Sequence, residues 1–264
     1  MSERQSGPGV GARRTLGDVL TIAFGVTVVM WGVGFLCRLP VGGGDDPAEL
    51  IVRSEVLAGL LLLCLLGAGW ATGRYTSRGL AGGALVGLLV GLVNLLVIGG
   101  LLGEDRATVT RSAAVWIPGT FVVTIVCGVL GALVGARWRR PAAPLAAWRG
   151  RLAAVAAWAT LLLIMVGGTV TGFDAGLAVP DWPNTEGTMM FLYPLAKMTG
   201  GIYFEHAHRL IGSLVGLVTL VLAIYLQRWE PRAWVRRLGW TALVLVVIQG
   251  VLGGLRVTGV FTFS

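Results

Sequence analysis

The sequence predicts an all-α integral membrane protein: a helical bundle of about seven transmembrane helices, N-terminus inside and C-terminus outside. Three observations carry this. The 264 residues are 55% hydrophobic and only 13% charged, with a mean hydropathy of +0.80, which no ordinary soluble domain of this length shows. Apolar runs recur at lengths near the ~20 residues that a bilayer requires. The basic residues, finally, segregate between alternate connections, as the positive-inside rule demands.

The expected spans run, in order, Leu16–Leu39, Val56–Gly73, Gly79–Leu102, Ala113–Ala136, Leu152–Gly172, Ala207–Leu226 and Leu238–Val257. The first is too long for a signal peptide and lacks a cleavage pattern, so it reads as a retained helix. With the N-terminus inside, the inner segments hold fourteen arginines, among them Arg74, Arg137, Arg139, Arg140, Arg149, Arg228 and Arg232. The outer segments hold Arg38, Arg53, Arg106, Arg111, Lys197 and Arg256, with Arg209 near an outer helix end. Asp45, Asp46, Glu49, Glu104, Asp105, Asp174, Asp181 and Glu186 fall outside. The net charge of +8 and the pI near 10.4 therefore report topology, and no nucleic-acid partner is expected. The long connection from Phe173 to Glu205 lies on the outer face.

The chain divides at the basic, proline-containing stretch 141–148. Residues 1–140 form a glycine-rich four-helix membrane unit. Gly83, Gly87 and Gly91, then Gly128, Gly131 and Gly135, space small residues for close helix packing; a glycine-lined pocket for a lipid or macrocycle is the alternative. No ionisable residue is expected within these helices, only Asn94, which fits a bridge between helices. Cys37, Cys64 and Cys127 lie in or beside apolar spans and form no metal-binding spacing, so they read as small buried hydrophobes.

Residues 149–264 carry the polar chemistry. Asp181 and Trp182 stand between Pro180 and Pro183, which stiffen the segment and forbid regular helix. Trp182, Tyr193, Tyr203 and Phe204 suit the headgroup layer. The segment Glu205-His206-Ala207-His208-Arg209 holds the only two histidines and abuts a charge-free run from Leu210 to Leu226. Ionisable groups so placed are costly and point to function. Glu205 and His208 share one helix face, while His206 is turned about 200° from His208. Gly212 and Gly216 continue the His208 face and leave a flat strip, the shape that a planar macrocycle needs beside an iron ligand. Glu205 is placed to orient the site or exchange protons, and Arg209 to pair with a propionate. A plain helix-packing motif and a local Glu–His pair are the structural alternatives.

Three stretches carry a resemblance: GG-x-V-x-x-x-x-AGLAVPDWP at Gly167–Pro183, GGIYFEHAHR at Gly200–Arg209 and QGVLGGLRV at Gln249–Val257. In order and placement they resemble the haem A synthase family of bacteria and mitochondria, over approximately residues 149–264. The resemblance implies an oxidoreductase that converts haem O to haem A by oxidising a porphyrin methyl group, for cytochrome oxidase assembly, in a multi-pass bacterial inner-membrane setting. The E-x-x-H-R signature maps onto Glu205, His208 and Arg209. It makes His208 an axial ligand to the iron of a b-type haem and Glu205 a residue of the chemistry, with His206 at a variable position. Asp181 and Trp182 match the outer-loop motif; Gln249, Gly253, Gly254 and Arg256 match that of the third core helix. Haem O and the lipid bilayer are the implied partners, with haem O synthase, cytochrome oxidase assembly proteins and self-association as further ones.

The family resembles a duplicated four-helix bundle with a histidine pair in each half. On that pattern the chain is expected to be a truncated member with three helices of the first half, its second axial ligand beyond Ser264, and an extra four-helix unit in front. Its outer loop also lacks the cysteine pair that some members carry. A haem-binding or electron-transfer module without synthase activity is the alternative function. A structural bundle, with no haem and a purely local Glu–His pair, is a third.

Overall fold

The computed structural model describes residues 8–39, 52–101, 106–141 and 143–259. Among them seven helices are long and apolar enough to cross a membrane: α1 (Pro8–Cys37), α2 (Ser54–Tyr75), α3 (Leu80–Ile98), α4 (Arg106–Ala136), α5 (Leu145–Gly172), α6 (Gly200–Trp229) and α7 (Ala233–Val257). The chain is thus an all-α multi-pass membrane protein. The acidic loop residues Asp45, Asp46, Glu49, Glu104 and Asp105 lie outside the described residues.

Lipid tails are as apolar as leucine, so close packing rather than hydrophobic transfer must hold these helices together. Glycine supplies it in the first four. A Cβ on Gly69 or Gly73 of α2, or on Gly83 or Gly87 of α3, would overlap the backbone of α4. Gly131 and Gly135 of α4 meet the α2 backbone at Leu66 and Trp70 in the same way. The spacing in the sequence is therefore a packing code. Asn94 bridges helices as expected, its Oδ1 accepting from Trp31 Nε1 at 3.0 Å.

Helix α1 serves two cores. With α2 and α3 it buries Val19, Ala23, Leu65, Ala68, Val86 and Val90. With α5 and α6 it buries Phe24, Val28, Leu152, Leu214, Val218 and Tyr225. Helices α5 and α7 flank α6 and otherwise turn apolar side chains such as Trp158, Ile164, Leu245 and Ile248 outward.

Four expectations need correction. Helix α6 begins at Gly200, not Ala207, so Tyr203 and Phe204 are helical; Gly200, at φ +51°, makes the turn out of the preceding loop, a conformation that glycine tolerates. Helix α5 begins at Leu145, inside the stretch expected to be linker. Tyr193, Tyr203 and Phe204 are buried rather than spread along a headgroup belt. Tyr203 stacks on Phe35 with centroids 5.5 Å apart and donates to the Phe35 carbonyl at 2.6 Å, which ties α6 to α1. The first four helices also contain ionisable residues, and one of them, Asp18 in α1, is buried.

At the end opposite the 173–199 loop, Glu230 follows α6 with its carboxylate enclosed. It accepts from Arg149 Nε at 2.9 Å and from Arg232 Nε at 2.7 Å, which clamps α5 to the α6–α7 turn. The Arg232 hydrogen bond, with the charges of Arg149 and Arg232 assisting, holds this carboxyl below the usual carboxylate range. A depressed acid stabilises the fold fully above its unfolded pKa, and the contribution is lost as pH falls through the folded value. Thermal unfolding in detergent should therefore show a loss of stability on acidification that is shallower in Glu230→Gln. Parallel acid limbs in the two proteins would count against the clamp.

Candidate functional site

The site is built where the loop 173–199 folds back onto the first two turns of α6. Glu205 and Arg209 are one helical turn apart, and Arg209 Nη2 donates to Glu205 Oε1 at 2.6 Å with both side chains buried. The other carboxylate oxygen, Oε2, accepts from the Val179 amide at 2.8 Å. Arg209 also reaches three loop carbonyls: Asp181 at 2.7 Å, Asn184 at 2.8 Å and Val179 at 3.0 Å. A planar fork with five donors suits this task. The expected propionate partner is thus a loop staple in the structure, its guanidinium engaged from within the chain.

Asp181 organises the loop from the other side. Its two oxygens accept from the amides of Glu186 and Gly187 at 2.8 and 2.7 Å. Those residues have φ of +49° and +75° and form the turn of a short hairpin, β1 (Asn184–Thr185) and β2 (Thr188–Met189). Glu186 in turn accepts from the Tyr193 hydroxyl at 2.7 Å. Trp182 lies on α7, where a Cβ at Gly254 would overlap its indole. Arg256 reaches the same loop, 3.7 Å from a Cβ built on Gly176. Gln249 is exposed on α7.

The two histidines differ in kind. His206 is fully buried, its Nδ1 is 3.0 Å from Thr185 Oγ1 and its ring is 5.1 Å from that of Tyr193. It anchors the hairpin. His208 faces the other way, onto α5, where a Cβ on Gly167 would stand 3.0 Å from the imidazole Cε1. The Leu163 carbonyl is close to that ring, yet Nδ1 is buried without a hydrogen-bond partner. An orphaned buried nitrogen of this kind calls for an explanation.

Further down the His208 face, a Cβ on Gly212 would touch only Leu163, at 3.8 Å, and one on Gly216 would meet nothing within 4 Å. On α5, Gly168 and Gly172 are equally open. Among the described residues, only the Leu163 side chain of α5 meets Gly212 and no helix packs on Gly216. Glu205 makes its ion pair with Arg209 rather than with His208 among the described residues. A buried ring nitrogen without a hydrogen-bond partner, above an open glycine strip, fits a planar macrocycle whose metal takes a nitrogen ligand. Sequence reasoning missed Val179, Thr185 and Tyr193. Main-chain amides carry no residue signal, and neither a lone threonine nor a tyrosine announces a histidine partner.

Fold and site together define a multi-pass helical membrane protein with a buried histidine beside an open glycine strip and a loop stapled onto the start of α6. The family described as cytochrome oxidase assembly protein (COX15-CtaA) matches residues 150–262, the region from α5 through α7, and that region is similar to this family. A heme A synthase from Methylobacterium sp. (strain 4-46) is 30% identical over 220 residues, 75% of this chain and 58% of the relative. One from Methylobacterium radiotolerans is 27% identical over 197 residues, covering 70% and 53%. One from Lysinibacillus sphaericus is 31% identical over 102 residues, covering 37% and 31%. The chain thus spans between about a third and somewhat over half of the length of these relatives. Coverage of 75% also carries the first similarity past α5–α7 into the preceding helices. No solved structure matches the chain.

Proposed function

We infer that the chain acts as a haem A synthase, or as part of one, oxidising a methyl group of haem O at the loop end of α5–α7 in a bacterial cell membrane. The observation that carries this reading is the buried, unpartnered Nδ1 of His208 above the open Gly212–Gly216 strip, one helical turn from Glu205. Relatives named heme A synthase and the matched family support it. The charge asymmetry of the connections supports placing the 173–199 loop outside. Residues 1–140 are read as a four-helix unit preceding the catalytic helices.

A bound haem would supply the redox chemistry, which no side chain offers. The chain's own residues do the rest. His208 would hold the haem iron through a ring nitrogen. Gly167, Gly212 and Gly216 keep the walls flat, so that a macrocycle can approach both helices. Glu205 holds a carboxylate beside the ligand, its position set by the Val179 amide and Arg209. There it accepts a proton or stabilises positive charge developing on the substrate carbon. The stapled loop lies over this end of the helices and limits the access of water.

One observation favours the second reading, a haem-binding module without synthase activity: both oxygens of Glu205 already have partners within the protein. Glu205→Gln separates the two, because the amide keeps the shape and loses the charge. For a synthase, reduced-minus-oxidised spectra of the purified variant should retain a b-type haem, while conversion of supplied haem O falls by about a hundredfold or more, within the ~10²–10⁴-fold that general acid–base groups contribute. Haem binding with undiminished haem A formation would remove Glu205 from the chemistry. Haem binding without conversion in the unaltered chain would favour the module.

A further inference from the structure

The loop-end halves of α1 to α4, with α6, line an open-sided cavity of about 1020 Å³. It follows from the glycine code. Helices α2 and α4 meet backbone to backbone around Gly69, Gly73, Gly131 and Gly135, in the halves away from the loop. Toward the loop end that contact ceases: Gly119 of α4 and Gly34 of α1 both line the cavity, and a Cβ on either would meet nothing within 4 Å. The helices are pinned at one end and splay at the other.

The chamber is apolar, walled by groups such as Trp31, Phe35, Leu61, Trp116 and Ile211. Its few polar groups are largely spent. Thr120 and Thr124 donate to main-chain carbonyls of their own helix, and Asn94 Oδ1 is taken by Trp31. Apolar walls offer ordered water few of the polar partners it needs. Among the described residues Arg38 is the one charged group of the lining; it directly follows the last residue of α1 and has no ion-pair partner among them. The chamber is separate from the haem groove. Tyr203, Ala207 and Ile211 line it, whereas Glu205 points about half a turn away and His208 lies against Gly167.

We propose that this chamber binds an anionic membrane phospholipid, its acyl chains between the splayed helices and its phosphate on Arg38. A long apolar chain fills the void, and a single cation at the helix end selects a negative headgroup. The inference does not depend on haem chemistry.

The test uses the full chain in nanodiscs of equimolar phosphatidylglycerol and phosphatidylcholine, transferred to detergent, with retained lipid counted by native mass spectrometry. The unaltered chain should keep phosphatidylglycerol over phosphatidylcholine by roughly tenfold, the scale of one charged hydrogen bond. Arg38→Gln should abolish the preference while lipid is still retained. Gly119→Leu, which grows into open space, should lower total retained lipid several-fold at an unchanged unfolding temperature; Gly34→Leu repeats the test from α1. Equal retention of the two lipids by the unaltered chain, or retention indifferent to all three substitutions, would overturn the proposal. So would recovery of a prenylated porphyrin from the chamber in place of phospholipid.

Discussion

His208→Ala should remove the haem absorbance altogether and leave the fold standing. The imidazole makes no hydrogen bond through its buried Nδ1, so its loss leaves no side-chain partner stranded at that atom. It leaves a gap beside Gly167 on a face already open at Gly212 and Gly216. An axial nitrogen ligand has no substitute there, because the other histidine, His206, is turned into the hairpin with Thr185 and Tyr193. His206→Ala should therefore give the complementary result. Haem stays, while the loop loses a buried hydrogen bond together with the packing of the ring, a cost of about 1–3 kcal/mol. Reduced-minus-oxidised spectra beside thermal unfolding read both effects on the same samples. A haem spectrum that survives His208→Ala and disappears in His206→Ala would reverse the assignment of the two residues.

The membrane architecture was legible because it depends on composition over long windows. Every expected span is present as a helix, and the glycines at i, i+4, i+8 lie where α3 and α4 touch. The face of His208 was legible as well, since helical periodicity alone separates it from His206. What stayed hidden is tertiary. Tyr203 and Phe204 have the residue types of a headgroup belt, and only their contacts with Phe35 and Phe173 show them to be core. Asp18 sits within an otherwise apolar run and gives no sign that it is buried. The chamber beside Arg38 could not be read from spacing, because it exists where the glycine contacts stop. Arg209 shows the same limit at the site: its type suits a propionate, yet its reach is taken up by carbonyls of a loop about thirty residues away in sequence.

Arg209→Ala should be the most destabilising change at the site. Its side chain and that of Glu205 are 8% and 6% exposed, so removing the guanidinium strands a buried carboxylate and frees three carbonyls together. Breaking such a pair costs about 3–5 kcal/mol, and the loss should concentrate in the 173–199 loop, which the staple attaches to α6. Hydrogen exchange at Glu186 and Gly187, whose amides bond to Asp181, reports on that loop without any haem present. Arg209→Lys should recover only part of the protection, because one ammonium cannot span Glu205 and three carbonyls at once. The propionate role implied by family resemblance makes the opposite demand. If Arg209 served the haem instead, haem affinity would fall while loop protection in the haem-free protein stayed unchanged. The geometry favours the staple, since every hydrogen bond donated by the Arg209 guanidinium among the described residues goes to Glu205 or to the loop.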